Sequence, residues 1–454
     1  MVKLDAKDRE QYAQHIIHAV QQEDYIQFRR YFLELHPTDQ IEIFNSFTKK
    51  QREAIYHYLS PDEFSEIFER LEFEKQQEII LELNEQYSSE MFNVMPADNA
   101  AYFLQEIPGD KAIEILDKMD PVEASEVKEL LSYPAETAGA IMTKEVYRIS
   151  SSDTASSVIE KLRKEPPDAE TIYYLYVVDE HEKLVGVLSL RELITANETK
   201  CIEDIMSTRV VSVDVQMDQE DVALLMHKYD FLAMPVVSKN QTLLGIITVD
   251  DVMDVMEEEA TEDFGEISAA KGATDVSVSA FAAAKKRVPW IIMLMLFGLV
   301  TAEVIGFFEE TLEAIVLLAA FIPLIMDAAG NVGTQSLAVA VRGLALGTIQ
   351  KGSLGRMVRR EFATGLMLGL TCMIVLGITI NLIYQGNAML AFIVGISIFI
   401  TLSISTIIGA TVPLVINKLK LDPAIASGPF ITTINDIIGL LIYFSIATTL
   451  IDYL

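Results

Sequence analysis

Cysteine is almost absent from this chain of 454 residues, which contains only Cys201 and Cys372. The two cysteines lie far apart, which argues against a disulfide framework and against a cysteine metal site. Histidine is also scarce, with six residues, and the four within the first sixty positions are scattered. No nucleophile stands at a spacing that pairs it with a general base, and no closed metal-ligand motif occurs. The sequence therefore argues against an enzyme.

Basic residues are outnumbered, with 35 Lys and Arg against 66 Asp and Glu and a formal net charge of −31. All but nine of the acids and all but seven of the bases lie in residues 1–287. Such a surface repels nucleic acid and anionic lipid and attracts cations. A soluble domain that merely repels its own copies would have the same composition. We expect no nucleic-acid partner.

The first 287 residues lack a membrane-length apolar run, and the N-terminus lacks the apolar core of a signal peptide. We therefore expect this part in the cytoplasm. Residues 1–133 show a recurring start signal for short helices, in which a proline is followed by an acid one or two positions later. The pattern predicts a helical N domain built as a stack of hairpins. The prolines are Pro37, Pro61, Pro96, Pro108 and Pro121.

An internal repeat of about sixty residues occupies 134–197 and 198–260. Each copy has β-branched runs around a glycine and then a Ser or Thr that caps a helix. The repeat resembles a pair of cystathionine-β-synthase (CBS) domains, an α/β fold that commonly senses an adenine nucleotide. The resemblance implies that Tyr174, Arg191 and Phe231 contact the base and the phosphates of a bound nucleotide. ATP is the expected nucleotide. A dimerisation module with an empty cleft is the alternative.

An acidic helix is predicted directly after the repeat. Asp251, Asp254, Glu258 and Glu262 fall on one side of it at steps of three and four residues. Like charges at this spacing destabilise a helix, and bound divalent cations would reverse that effect. An ordinary solvated face is the alternative. Residues 261–287 form the predicted connecting or "plug" segment, with an amphipathic helix over 264–287 along the inner membrane surface.

Five apolar segments follow within residues 288–454, at 288–308, 313–340, 361–384, 388–416 and 424–451. Each is long enough to cross a bilayer as a helix. Basic residues cluster at 285–287, at 342–360 (including Lys351) and at 418–420 (including Lys420), whereas the other two connections carry none. This alternation predicts a cytoplasmic N-terminus and an extracellular C-terminus in the plasma membrane. The predicted fold class is a multidomain α-helical membrane protein.

The last apolar segment carries Asp436 near its middle, where an ionised carboxylate is expensive. On a helix, Gly428, Thr432 and Asp436 share one face, which forms a narrow oxygen-bearing stripe. Such a stripe suits a hard cation, since these ions prefer carboxylate, carbonyl and water ligands. The alternative is a buried polar residue that joins two membrane helices.

The second apolar segment carries Pro323 and two glycines, Gly330 and Gly333. We expect these residues to break the helix and to free backbone carbonyls toward a cavity. The same segment has Asp327, Asn331 and Gln335 at four-residue spacing, a second polar stripe.

Taken together, these parts resemble the MgtE family of magnesium channels over residues 1–454. The motifs are GNVGTQ at 330–335, LDPA at 421–424, TIND at 433–436, TVDDV at 248–252 and EATED at 259–263. The resemblance implies a homodimer with one pore, in which Asp436 binds hydrated Mg²⁺ with support from Gly428, Thr432 and Asn331. It also implies regulatory Mg²⁺ ligands at Glu66, Asp98, Asp218, Glu220, Asp230, Asp251, Asp254, Glu259, Glu262 and Asp263.

The expected function is a Mg²⁺-selective channel that cytosolic Mg²⁺ closes and that ATP modulates. A carrier for another solute is the competing class. Such carriers usually contain an inverted repeat of spans, and five spans cannot be divided into equal halves.

Overall fold

The computed structural model describes residues 6–164, 169–270, 279–349, 353–384, 387–419 and 422–453. Lys351, Lys420, Leu421 and residues 271–278 of the connecting segment therefore lie outside the described residues. The chain falls into two compact units, which are divided between Met253 and Asp254.

The N-terminal part is entirely helical over its described residues, as the recurring start signals predict. Pro37, Pro61 and Pro121 each occupy the first turn of a helix, where a missing N–H costs nothing. Buried aromatic rings fill the space between successive helices. The helices are α1 (Ala6–Gln21), α2 (Tyr25–Phe32), α3 (Pro37–Asn45), α4 (Lys49–Tyr58), α5 (Pro61–Phe68), α6 (Phe73–Ile80), α7 (Glu85–Val94), α8 (Ala97–Glu106), α9 (Gly109–Leu116) and α10 (Pro121–Leu130).

The predicted repeat is confirmed as two three-stranded sheets of identical topology. In each sheet the first strand pairs parallel with the second, and the second pairs antiparallel with the third. One buried cluster contains side chains from both sheets, among them Tyr176 and Ile246. The first copy has β1 (Val146–Ser150), α11 (Ala155–Lys164), β2 (Thr171–Val178), β3 (Leu184–Ser189) and α12 (Leu190–Thr195). The second has β4 (Val213–Asp214), α13 (Gln219–Tyr229), β5 (Ala233–Val237) and β6 (Leu243–Thr248).

The predicted single amphipathic helix over 264–287 is wrong. Helix α14 (Val249–Ile267) ends early in that range, and α15 (Ala280–Phe307) begins near its end. The hydroxyl of Ser279 caps α15 by accepting a hydrogen bond from the N–H of Ala282. Alanine is the strongest helix former, and the helix continues from 280–284 through Pro289 into the apolar run that follows. The basic residues 285–287 consequently belong to the first long apolar helix.

Among the described residues, five helical segments are long and apolar enough to cross a membrane, as predicted, although their ends differ by up to eight residues from the predicted ones. A short helix, α16 (Glu309–Ala314), separates the first two. A 3₁₀ stretch, Val316–Phe321, leads into the second. The remaining helices are α17 (Ile322–Ala345), α18 (Leu354–Ile383), α19 (Ala388–Lys418) and α20 (Gly428–Thr449).

The predicted break within the second span is also wrong, because α17 is continuous and Pro323 lies in its first turn. The glycines instead allow neighbouring helices to approach closely. A Cβ on Gly330 would lie 2.6 Å from Cγ2 of Thr432, and one on Gly333 would overlap the amide of Asn435. A Cβ on Gly409 of α19 would overlap the carbonyl oxygen of Gly333. Three helices therefore meet at Gly333.

The close approach of α17 and α19 predicts different outcomes for two Gly→Ala substitutions. Gly409→Ala should destabilise the bundle by roughly 1–3 kcal/mol, since its methyl group would meet backbone that cannot rotate away. The matched control is Gly377→Ala on α18, where nothing lies within 4 Å of the added carbon. The control should unfold as the parent does or slightly later. Thermal unfolding in detergent measures both, and equal midpoints would contradict the packing role of Gly409.

Candidate functional site

Helix α20 begins at Gly428, with Pro429 in its first turn, so Gly428, Thr432 and Asp436 lie on one face. The missing side chain of Gly428 lets the end of α14 approach. A Cβ there would lie 3.1 Å from the carbonyl oxygen of Ile267 and 3.5 Å from Thr334. A cleft of about 530 Å³ opens beside this start of α20. It is lined by Ser268, Leu294, Thr334, Gly428, Pro429, Thr432 and Thr433.

The carboxylate of Asp436 has one oxygen, Oδ1, that is buried and accepts no hydrogen bond from the described residues. Asp327 of α17 lies close enough for the two charges to repel each other. Asn331, one turn further on α17, donates from Nδ2 to Oδ1 of Asp327 at 3.0 Å. The two predicted polar stripes therefore bring two carboxylates and an amide together. Positive charge at this place would relieve the repulsion.

A second group of acids lies in the first compact unit, around Asp98. Its Oδ1 is buried without a hydrogen-bond partner among the described residues. Burial, with a smaller contribution from the charge of Asp251 and then Glu145, raises the pKa of Asp98 to about 7. Burial also raises the pKa of Glu170, and the charges of Asp250, Glu145, Asp251 and Glu69 act in the same direction. We call these six acids the Asp98 cluster.

Four members of the Asp98 cluster were missed by sequence reasoning, namely Glu69, Glu145, Glu170 and Asp250. Glu145 and Glu170 immediately precede β1 and β2, which pair in parallel with Val146 opposite Thr171. The N–H of Glu170 donates to the carbonyl oxygen of Glu145 at 3.0 Å. Neighbouring parallel strands begin at one edge of a sheet, so an acid before each strand was a usable signal.

Asp251 has a structural role in addition to its place in the cluster. Its Oδ2 accepts hydrogen bonds from the N–H of Thr248 at 3.0 Å and from the hydroxyl of Thr248 at 2.6 Å. These bonds are the carboxylate half of a capping box at the start of α14. Both bonds use Oδ2, so Asp251 keeps the helix start in place while its charge acts on Asp98 and Glu170.

A third group of acids lies in the second compact unit, at the end of α14. Burial raises the pKa of Asp263 to about 6, with smaller contributions from the charges of Asp422, Glu259 and Glu262. Arg342 at the end of α17 acts in the opposite direction. We call Asp263, Glu259, Glu262 and Asp422 the Asp263 cluster. Asp422 was missed as a site residue, although it stands in the LDPA motif.

The other predicted regulatory acids lie outside the two named clusters, although the charge of Glu66 adds to the burial that raises the pKa of Glu69, a member of the Asp98 cluster. Asp218 caps the start of α13 by accepting a hydrogen bond from the N–H of Glu220 at 2.9 Å. Asp230 ends the same helix with a left-handed backbone, φ 55°. Eleven residues separate the two caps, about 16 Å of helix, so one ion cannot bind both within a single chain. Glu66 is exposed, and Asp254 is an exposed residue of α14.

Within the described ranges, no three His, Cys, Asp or Glu side chains are placed so that they could hold a metal ion together. Ions at the two clusters would therefore need water or backbone oxygens to complete their shells. Mg²⁺ suits such sites, because it usually keeps several waters and is bound by one or two carboxylates.

The predicted nucleotide contacts occupy the two CBS units. Tyr174 stands opposite Ser189 in the β2–β3 ladder, which places it near the start of α12 and therefore near Arg191. The ring of Phe231 stacks on Tyr229, with centroids 5.5 Å apart and an interplanar angle of 12°. Tyr174 thus lies beside the residue that caps the helix bearing Arg191, while Phe231 belongs to an aromatic pair of the second CBS unit.

Comparison with protein families divides the chain in the same order as the fold. Residues 322–446 match the model of a divalent cation transporter family, MgtE. Residues 35–136 match the MgtE intracellular N domain, and residues 138–198 and 202–258 match CBS domains.

Curated relatives match almost the whole chain. A magnesium transporter MgtE of Bacillus subtilis is 41% identical over 427 residues, which are 94% of each protein. The magnesium transporter MgtE of Thermus thermophilus is 35% identical over 444 residues, 96% of this chain and 97% of the relative.

Solved structures resemble the part of the chain that precedes the long apolar helices. The soluble part of a magnesium transporter is 40% identical and superposes with a TM-score of 0.53, covering 56% of this chain and 99% of that one. The cytosolic domain of the Mg²⁺ channel MgtE in complex with ATP is 36% identical, with a TM-score of 0.51, and covers 54% of this chain and 99% of that one.

The raised pKa of Asp98 predicts a pH-dependent stability. A carboxyl group that binds its proton more tightly when folded stabilises the protein fully below its unfolded pKa of about 4, and this stabilisation is lost as the pH rises toward 7. In chelator, Asp98→Asn should therefore exceed the parent in stability at about pH 8, by a few kcal/mol at most, and match it only at about pH 4 or below. Thermal unfolding of the full chain measures the difference.

Asp110→Asn, at an exposed position of α9, is the control and should follow the parent at both pH values. Added Mg²⁺ should stabilise the parent and the control more than Asp98→Asn. If the thermal stability of the parent and of Asp98→Asn depends on pH in the same way, the raised pKa of the buried carboxyl group is contradicted.

Proposed function

The chain belongs to the MgtE family of magnesium transporters, which are not enzymes, and we propose that it is a Mg²⁺-selective channel that senses the ion it conducts. One observation supports the conducting role above the others. Asp436, a carboxylate inside a membrane-length helix, lies beside a second carboxylate, Asp327, with no ion-pair partner among the described residues. Carboxylates so placed are costly unless a cation passes or binds there.

The proposed cation path runs along the face of α20 that bears Gly428, Thr432 and Asp436, with Asn331 of α17 opposite. In a homodimer with one pore on the two-fold axis, each copy would supply one Asp436 carboxylate. Mg²⁺ dehydrates reluctantly, so contact through its water shell is the expected mode of recognition. The cleft beside the start of α20 is large enough to admit a hydrated ion.

The proposed regulation uses the repulsion within the two cytosolic groups of acids. At low Mg²⁺ the carboxylates of the Asp98 cluster and of the Asp263 cluster repel one another, and bound Mg²⁺ removes that penalty. Closure follows if Mg²⁺ binds the closed arrangement more tightly than the open one. Glu66, Asp218, Glu220, Asp230 and Asp254 are proposed as further ligands, with the caps of α13 serving separate ions.

ATP is a proposed modulator rather than a substrate. A relative that is 36% identical over the cytosolic part is described in complex with ATP. In this chain, Tyr174 and Arg191 lie together at the β2–β3 ladder and the start of α12, which suits contacts to a base and a phosphate. Bound nucleotide would then change the Mg²⁺ concentration that closes the channel.

The proposed organisation assigns residues 1–133 to the N domain, 134–197 and 198–260 to the CBS pair, 261–287 to the connecting segment and 288–454 to the pore domain. The chain is a multi-pass membrane protein. We place it in the plasma membrane among lipids, with a cytoplasmic N-terminus and an extracellular C-terminus. The alternation of basic connections supports this orientation.

Neutralising the proposed pore carboxylate should abolish selective conduction. Asp436→Asn should reduce Mg²⁺ current about tenfold or more, because a hydrated divalent ion loses one carboxylate contact from each chain. Patch-clamp recording of the purified protein in liposomes measures the current. The control is Asp452→Asn, which removes the same charge at an exposed position after α20 and should leave the current unchanged. Equal Mg²⁺ currents in all three proteins would contradict this pore assignment.

Neutralising acids of α14 should weaken closure without removing conduction. The double variant Asp251→Asn, Asp254→Asn should need several-fold more cytoplasmic Mg²⁺ to close, because less repulsion remains for the ion to relieve. Stepping Mg²⁺ on the cytoplasmic face of excised patches gives the half-closing concentration. The control double variant, Glu203→Gln with Asp204→Asn, removes two exposed charges elsewhere. A half-closing concentration that is the same in both double variants would argue against the proposed sensor.

A further inference from the structure

Asn435, the residue before Asp436, is a buried polar residue of the membrane bundle. The proposed cation path does not use it. It is 1% exposed, and neither Nδ2 nor Oδ1 has a hydrogen-bond partner among the described residues. A buried amide without partners is strongly unfavourable, and the great majority of such groups are satisfied by protein or by ordered water. An apolar side chain of the same size would pack here at lower cost.

The surroundings of Asn435 explain how it is enclosed. Its amide lies over Gly333 of α17, where any Cβ would overlap it. The carbonyl oxygen of Gly333 is in turn approached by Gly409 of α19. The amide therefore lies where three helices come closest, and two glycines make room for it.

Two further buried oxygens, one on α20 and one on α19, also lack hydrogen bonds within the described residues. One is Oδ1 of Asp436, the next residue along α20. The other is the hydroxyl of Thr401 on α19. Gly439 lies one turn after Asn435 on α20, and a Cβ on it would lie 3.0 Å from the methyl group of Thr401. Adjacent helical side chains diverge by about 100°, which favours a bridging water over a direct contact between Asn435 and Asp436.

We propose that Asn435 is a positioning residue that holds the carboxylate of Asp436 through a buried water. The Nδ2 group donates to that water, and the water donates to Oδ1 of Asp436. The amide oxygen accepts from a second donor on the α19 side. This inference rests on the proposed role of Asp436 in cation recognition, and it gives that residue a fixed orientation toward the ion.

The test compares two isosteric substitutions. Asn435→Thr keeps a donor and an acceptor, whereas Asn435→Val has the same shape without them. Asn435→Val should lower the permeability of Mg²⁺ relative to Na⁺ by about fivefold to tenfold, and Asn435→Thr should retain most of it. The measurement is the reversal potential of the full-length protein in liposomes under opposed Mg²⁺ and Na⁺ gradients. Thermal unfolding in detergent is recorded in parallel.

Ser397→Ala is the control for loss of a buried polar group. Its hydroxyl is fully buried on α19 but is satisfied within its own helix, since it donates to the carbonyl oxygen of Ile393 at 2.7 Å. It should leave the permeability ratio unchanged.

Two results would overturn the positioning role. One is an equal permeability ratio in Asn435→Thr and Asn435→Val. The other is a Val variant that keeps the permeability ratio of the parent. Failure of the proposed function is recognised separately, because Asp436→Asn would then keep the selectivity of the parent. If Asp436→Asn loses selectivity while Asn435→Thr and Asn435→Val have equal permeability ratios, only the role of Asn435 is contradicted.

Discussion

Repulsion between carboxylates that the fold brings close together is the interaction on which the rest of this structure depends. It recurs at three places, where Asp436 faces Asp327, in the Asp98 cluster and in the Asp263 cluster. In the Asp98 cluster and the Asp263 cluster, burial is the larger cause and repulsion adds to it, which raises the pKa of Asp98 to about 7 and that of Asp263 to about 6. Protons and divalent cations relieve the same penalty, so sensitivity to pH and to Mg²⁺ should be linked through the same side chains.

Close helix packing is what makes the membrane part of this arrangement possible. Glycines at 330, 333 and 409 let backbones approach so that Thr432 and Asn435 fit inside the bundle without overlap. In a membrane, helix association depends on such packing, because lipid tails are as apolar as leucine. The polar face of α20 is therefore held by the shape of its neighbours, and polar side chains can remain for ion recognition.

The sequence predicts features that repeat locally and misses features that depend on register. Pro37 and Pro61 mark helix starts, and β-branched runs around Gly186 and Gly245 mark paired strands, because these signals act over a few residues. The glycines of α17 were misread as a break, since a packing glycine and a breaking glycine look alike until the partner helix is known. Glu145 and Glu170 are 25 positions apart, and only the parallel pairing of β1 with β2 brings them together.

The absence of any three-ligand site among the described residues constrains how regulation can work. An ion held by two carboxylates and its own water binds weakly, and moving a closed-to-open ratio from 1:99 to 99:1 takes about 5.5 kcal/mol of differential binding. One weak site does not supply that difference. Several do, because coupling energies of separate ions add when each prefers the same state. The proposed mechanism therefore uses acids in separate clusters. Helix α14 carries members of both the Asp98 cluster and the Asp263 cluster, so the binding energies of their ions combine on this helix. A steep response to Mg²⁺ would then arise from many weak sites and not from one tight one.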